Sequence, residues 1–141
     1  MGYSGTIVQF VETRRIFKAA VLFGHGIAGW AYCGALTGIG RKFLPFHTTL
    51  VVHAVGAPLG FALISLLYFR KFAFTTPLQT ALIFLALVVG LDFFPVAPVF
   101  ERSYVMFTSF LGTWLPFALI FMAVYITGAW VAPKIPAPVR S

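Results

Sequence analysis

The sequence predicts an all-α integral membrane protein, a four-helix transmembrane bundle with both termini on the cytoplasmic side. Three observations predict it. Hydrophobic residues make up 60% of the chain and charged residues 9%, against roughly 25% charged in a soluble domain. Four long stretches carry almost no charge. The basic residues gather between those stretches rather than within them.

The bilayer's hydrocarbon takes about 20 mostly apolar residues as a helix. Residues 19–40, 43–69, 72–91 (extending to 100 past Asp92) and 103–133 are each long enough. With their flanks, they give one domain, 1–141, with spans at about 16–40, 45–69, 76–98 and 104–131 and a tail at 132–141. The tail, with Pro133, Pro136 and Pro138, cannot continue a helix, because proline lacks the amide donor and clashes with the preceding turn.

The first span follows Arg14, Arg15 and Lys18, a pattern that imitates a signal peptide but here reads as a basic anchor before a membrane helix. Connections at Arg41-Lys42, Arg70-Lys71 and Glu101-Arg102 are short, which makes consecutive helices antiparallel neighbours. Alternating sides puts seven basic residues (Arg14, Arg15, Lys18, Arg70, Lys71, Lys134, Arg140) on one face and three (Arg41, Lys42, Arg102) on the other. The richer face is the cytoplasmic one, and a plasma or inner membrane is the expected location. The net charge of +7 therefore reports topology. Nucleic acid is not expected as a partner, since no contiguous basic face is present.

Within the spans, ionisable groups are costly and point to function. At 1.5 Å per residue, His25 lies ten residues from Arg15, about 15 Å from the inner boundary. His53 lies seventeen residues from Arg70, about 25 Å up, and Asp92 is at a similar height if the third helix starts near Thr76. His53 and Asp92 thus form a candidate intramembrane polar site in the outer half. Pro95 and Pro98 offer another reading of Asp92, as the polar end of a helix that the prolines stop early. His25 is a weak candidate for holding a flat cofactor, with Gly24, Gly26, Ala28 and Gly29 around it; the same small residues serve helix packing. No particular cofactor is implied. His47, near the outer headgroups, is uninformative.

Gly34 and Gly38 in the first span, and Gly56 and Gly60 in the second, form G-x-x-x-G faces that permit close approach of another helix, in this chain or in a partner. Pro58 and Pro116 are expected to kink the second and fourth spans, with Ser109, Thr113 and Trp114 near the freed backbone groups. Phe61-Ala62-Leu63-Ile64 after Pro58 is echoed by Phe117-Ala118-Leu119-Ile120 after Pro116, a hint of two similar helical hairpins. Trp30 and Trp114 fall at mid-membrane, while Tyr68, Tyr104 and Trp130 fit the interfacial belts. Cys33 is the single cysteine, which excludes an internal disulfide and a multi-cysteine metal cage; in an apolar run it reads as a buried, inert thiol.

No phosphate-binding glycine loop, H-E-x-x-H, C-x-x-C or G-x-S-x-G motif occurs, so neither catalytic residues nor a metal site are assigned and the chain reads away from an enzyme. The glycine faces favour a non-catalytic accessory or assembly subunit of a larger membrane complex, whose partners are the lipid bilayer and other membrane subunits or a second copy. The alternatives are a small dimeric carrier or channel using the His53 and Asp92 level, and a single-histidine pigment-, haem- or quinone-binding subunit.

Overall fold

The computed structural model describes residues 3–131, with side chains from residue 5 onward, so the proline-rich tail and the basic residues within it lie outside the described residues. The described chain is all-helical, with no strand. Four of its helical stretches, Gly5–Phe43, Phe46–Lys71, Pro77–Glu101 and Phe110–Val131, are long and apolar enough to cross a membrane.

Helix α1 (Tyr3–Phe43) runs for 41 residues, about 60 Å at the α-helical rise. This is about twice the ~30 Å of a bilayer's hydrocarbon core, and the helix begins well before the span read from the sequence. Residues 5–20 are all exposed, and the first part of α1 projects as an arm up to Phe17 and Lys18, which meet Phe74. Arg41 and Lys42 fill its last turn, where positive charge suits the helix dipole. Pro45 then fixes an extended backbone before α2 (Phe46–Lys71), which passes through Pro58 as one continuous helix. At the far end of α2, the amides of Phe72 and Ala73 both return to the Tyr68 carbonyl, and Ala73 takes a left-handed φ of 47° that reverses the chain.

Helix α3 (Pro77–Leu91) opens on Thr76, whose side chain accepts from the Gln79 amide while the Gln79 side chain accepts from the Thr76 amide, with proline at the first helical turn. This reciprocal cap satisfies two otherwise orphaned donors, and proline there loses no helical bond. Pro95 and Pro98 do not stop the helix at Asp92. Asp92–Glu101 continues as π-helical turns, the wider winding found where regular i→i+4 bonding is interrupted, and ends only at Arg102 with a left-handed φ of 52°.

The chain then folds back through a 3-10 turn, Val105–Thr108. Ser109 caps a short π-helical segment, Phe110–Trp114, by accepting from the Gly112 amide, and α4 (Leu115–Val131) follows. Pro116 thus sits in the first turn of α4 and inside the helical stretch Phe110–Val131, just after the winding changes from π to α. The Thr113 hydroxyl donates to the Met106 carbonyl at 2.6 Å and the Trp114 indole to the Phe107 carbonyl at 2.8 Å, tying the re-entrant turn to the helix.

The helices form a ring in the order α1, α2, α4, α3, with α2 and α3 on one diagonal. Gly40 meets Thr49, and Gly60 meets Tyr32, so α1 and α2 run antiparallel. Leu50 faces Gly112 while Phe69 and Pro77 face Gly128, which makes α2 parallel to α4 and α3 antiparallel to α4. The two hairpins therefore lie side by side, with Phe61 and Phe117 both buried. Across the diagonal the rings of Phe61 and Phe84 meet at 6.0 Å. Tyr68 is core rather than an interfacial belt residue: it is fully buried and its hydroxyl bonds Thr75, which bonds Thr80.

Candidate functional site

One end of the bundle is packed with aromatic rings, with a recess of about 440 Å³ between the α2–α3 turn and Trp130 and Val131, and the other end opens into the interior. At the filled end, Tyr68 packs against Phe69, Phe72, Phe74 and Phe84. At the other end, the last turns of α1, the first of α2, the π-helical extension of α3 and the start of α4 diverge around a chamber of about 410 Å³. The divergence follows from the backbone. The widened turns after Leu91 and the fold-back before α4 leave no straight helix to close the space.

His53 and Asp92 both line this chamber, from α2 and from the start of the α3 extension. They are not hydrogen-bonded to each other. Asp92 Oδ1 accepts from the indole Nε1 of Trp30 at 2.9 Å, across the α1–α3 contact. His53 Nδ1 is buried with no hydrogen-bond partner among the described residues. An unmade bond of this kind costs about 1–3 kcal/mol, so the imidazole is a polar group awaiting a partner.

At the chamber's far end, Arg41 Nη1 and Glu101 Oε1 pair at 2.7 Å, with their side chains partly exposed. This pair joins α1 to α3 and cancels both charges where the chamber meets its surroundings. Gly34 and Gly38 line the chamber too. Both are exposed, and a Cβ at either would meet nothing within 4 Å. The chamber is therefore open past the small-residue face of α1. The other glycine pair is occupied by this chain itself, Gly56 by Leu36 and Gly60 by the Tyr32 ring.

His25 is placed elsewhere. Its Nδ1 lies 2.7 Å from the Val21 carbonyl, and the rings of Tyr68 and Phe72 pack edge-on against it at 5.6 Å. Of the small residues near it, Gly26 is covered by Leu87 and Phe84 and Gly29 by Phe61, while Gly24 and Ala28 are exposed and a Cβ at Gly24 would meet nothing within 4 Å. Those side chains occupy the Gly26 and Gly29 face of α1. Among the described residues no cluster of three or more His, Cys, Asp or Glu side chains is placed to hold a metal ion.

Sequence reasoning put His53 and Asp92 at one level but missed the two groups that organise their surroundings. Trp30 falls at mid-membrane by residue count, near the height of a carboxylate needing a donor, and that match was the signal for the bond. The opposite charges of Arg41 and Glu101 on one side of the bundle were a signal for the ion pair. Comparison of the chain with protein-family models, with the curated proteins and with the solved structures gives no match.

Proposed function

We propose that this chain is a four-span membrane protein, with both termini cytoplasmic, whose outer-end chamber binds a small ligand as part of a carrier or receptor role. The observation that supports this reading is a chamber of about 410 Å³ on which all four helices converge. Its volume falls in the range of small-molecule sites, about 300–1,000 Å³. Its lining combines mostly apolar walls with polar groups: Trp30, His53 and Asp92 within it, Thr37, Ser109 and Thr113 along the sides, and the Arg41–Glu101 pair, the mixture by which such sites fix orientation. The opening past Gly34 and Gly38 would face lipid, a route suited to a ligand that partitions into the bilayer.

The test is a thermal-stability screen of the purified full chain in detergent against small amphipathic molecules, with Gly38→Trp as control. A ligand that raises the melting temperature of the parent but not of Gly38→Trp supports the chamber. Stabilisation that persists in Gly38→Trp, or no stabilisation by any compound, rejects it.

An assembly role is supported by a different feature, the projecting arm of α1. Ile7, Val8, Phe10, Val11, Ile16 and Phe17 are all exposed there, and exposed apolar side chains in such number mark interaction surfaces. In this reading the chain associates with another membrane subunit or a second copy through the arm. Native gels of gently extracted protein, with and without residues 2–13, decide it: a larger species that collapses on truncation supports assembly, and a single species of unchanged size opposes it.

A further inference from the structure

Asp92 is the one acidic residue of the chamber whose charge the protein leaves uncompensated. The other, Glu101, is paired with Arg41 at 2.7 Å. Asp92 receives one described side-chain hydrogen bond, from the neutral Trp30 indole, and no basic side chain among the described residues forms an ion pair with it. Arg41 stands eleven residues beyond Trp30 along α1, about 16 Å up the helix axis. His53 shares the chamber without bonding to the carboxylate. Asp92 is half-buried, and a carboxylate drawn part-way out of water without a counter-charge is costly to keep ionised.

The surroundings favour one way of compensating it. Trp30 and Phe117 line the same chamber, and aromatic faces attract cations through their ring quadrupoles, most strongly when desolvated; at the mouth the Phe46 ring already holds the Arg41 guanidinium at 5.7 Å. An anion would be repelled by the ionised carboxylate, a neutral ligand suits Asp92 only once the carboxyl has taken up a proton, and a monovalent cation pairs with the ionised form directly. A polyvalent cation would bring more charge than one carboxylate balances. The exposed Gly34 and Gly38 leave the chamber open at the side, where a molecule with an apolar body can enter.

We infer that the chamber selects a monovalent organic cation, a protonated or quaternary amine carried on an apolar body, with Asp92 as its counter-ion and the Trp30 indole orienting the carboxylate. This inference rests on the proposed reading of the chamber as a ligand site. It adds the ligand's charge and shape.

The experiment uses the full chain in phosphatidylcholine vesicles and reads tryptophan fluorescence on titration with benzyltrimethylammonium and with its uncharged carbon isostere, neopentylbenzene. The expected result is saturable binding of the cation at least tenfold tighter than the isostere. Asp92→Asn, which keeps an oxygen to accept from Trp30, should level the two, while Asp92→Glu should retain the preference. Equal binding of both probes by the parent, or tighter binding of the neutral one, overturns the cation inference and leaves the chamber reading standing. A preference that survives in Asp92→Asn overturns the assignment to Asp92. Saturable binding of neither probe overturns the inference together with the reading beneath it. Retained neopentylbenzene binding shows that a variant is folded; if Asp92→Asn loses it, the Asp92→Glu result decides alone.

Discussion

The indole of Trp30 donates to the carboxylate of Asp92 at 2.9 Å, joining two residues 62 positions apart at the point where α3 leaves regular α-helical winding. The bond couples the α1–α3 contact to the chamber wall. A carboxylate in apolar surroundings depends on each donor it has, since removing one leaves the other partner's desolvation uncompensated.

Trp30→Phe keeps an aromatic ring in place and removes the donor. We expect it to destabilise the chain by about 1–3 kcal/mol, the cost of an unsatisfied buried polar group. Adding Asp92→Leu to Trp30→Phe should recover part of that loss, because both partners are then apolar. Denaturation in mixed micelles of the two single variants and the double variant measures the coupling; strictly additive losses would mean that the bond contributes nothing.

The ion pair between Arg41 and Glu101 is short at 2.7 Å, yet it is partly exposed and should contribute little. Exposed pairs typically supply about 0–1 kcal/mol. Glu101→Gln is expected to shift unfolding by less than ~1 kcal/mol, far less than Trp30→Phe. A double-mutant cycle with Arg41→Gln checks it, and a coupling above that range would show that the chamber mouth is sealed from water.

Two glycine pairs that look alike in sequence should respond in opposite ways. A Cβ at Gly60 would run into the Tyr32 ring, whereas one at Gly34 or Gly38 meets nothing within 4 Å. Gly60→Ala must push an aromatic ring out of place, and overpacking of this kind costs about 1–3 kcal/mol. Gly34→Ala and Gly38→Ala should be close to neutral for stability. Melting curves of the three variants measured side by side test the difference; equal losses would place all three glycines in tight packing.

How legible the fold was depended on the range of the interaction. The charge-free runs and the short connections depend on local composition, and four apolar helices follow from them. The N-cap at Thr76 was readable for the same reason, since Thr76, Pro77 and Gln79 act within one turn. The winding after Asp92 was not. Pro95 and Pro98 announce an interruption, but whether a chain stops or widens there depends on what packs around it. The chamber was hidden for a related reason. It is a space left by four backbones that diverge, and no residue type encodes it. His53 and Asp92 could be matched in height by counting along each helix, whereas the bond from Trp30 needed the rotation of α1 against α3, which residue counting does not supply. The orientation of Gly34 and Gly38 toward the chamber, and of Gly56 and Gly60 toward α1, needed the same missing rotation.

His53 gives a prediction in which stability and function separate. Its Nδ1 is buried without a partner among the described residues, so His53→Leu removes an unsatisfied polar atom while keeping similar bulk. Such a replacement is neutral or stabilising by up to about 1–3 kcal/mol, the penalty it removes. If the imidazole bonds a ligand in the chamber, the same variant should bind any stabilising ligand more weakly while melting at or above the parent's temperature. A lower melting temperature without ligand would show that His53 is held by a partner in the membrane, and unchanged ligand binding would remove it from the site.

Orientation rests on basic charge at the two ends of the bundle. Arg70 and Lys71 close α2 at the end where Lys18 lies 5.4 Å from the Phe74 ring, while Arg41 and Lys42 close α1 at the opposite end. Counting the whole sequence gives seven basic residues against three, a bias that predicts the richer side to be cytoplasmic, because translocating positive charge is disfavoured. Reporter fusions after Arg41 and after Arg102 are therefore expected outside, and those after Lys71 and Ser141 inside. The bias can also be weakened without touching the chamber, since Arg14, Arg15 and Lys18 are all exposed on α1. Replacing these three by Asn reduces seven to four against three, a near balance that should give a mixed population, with part of each reporter set reversed. Uniform retention of the parental pattern would show that the remaining charges or the helix order set orientation. A C-terminal reporter found outside in the parent chain would overturn both the orientation and the count of four crossings.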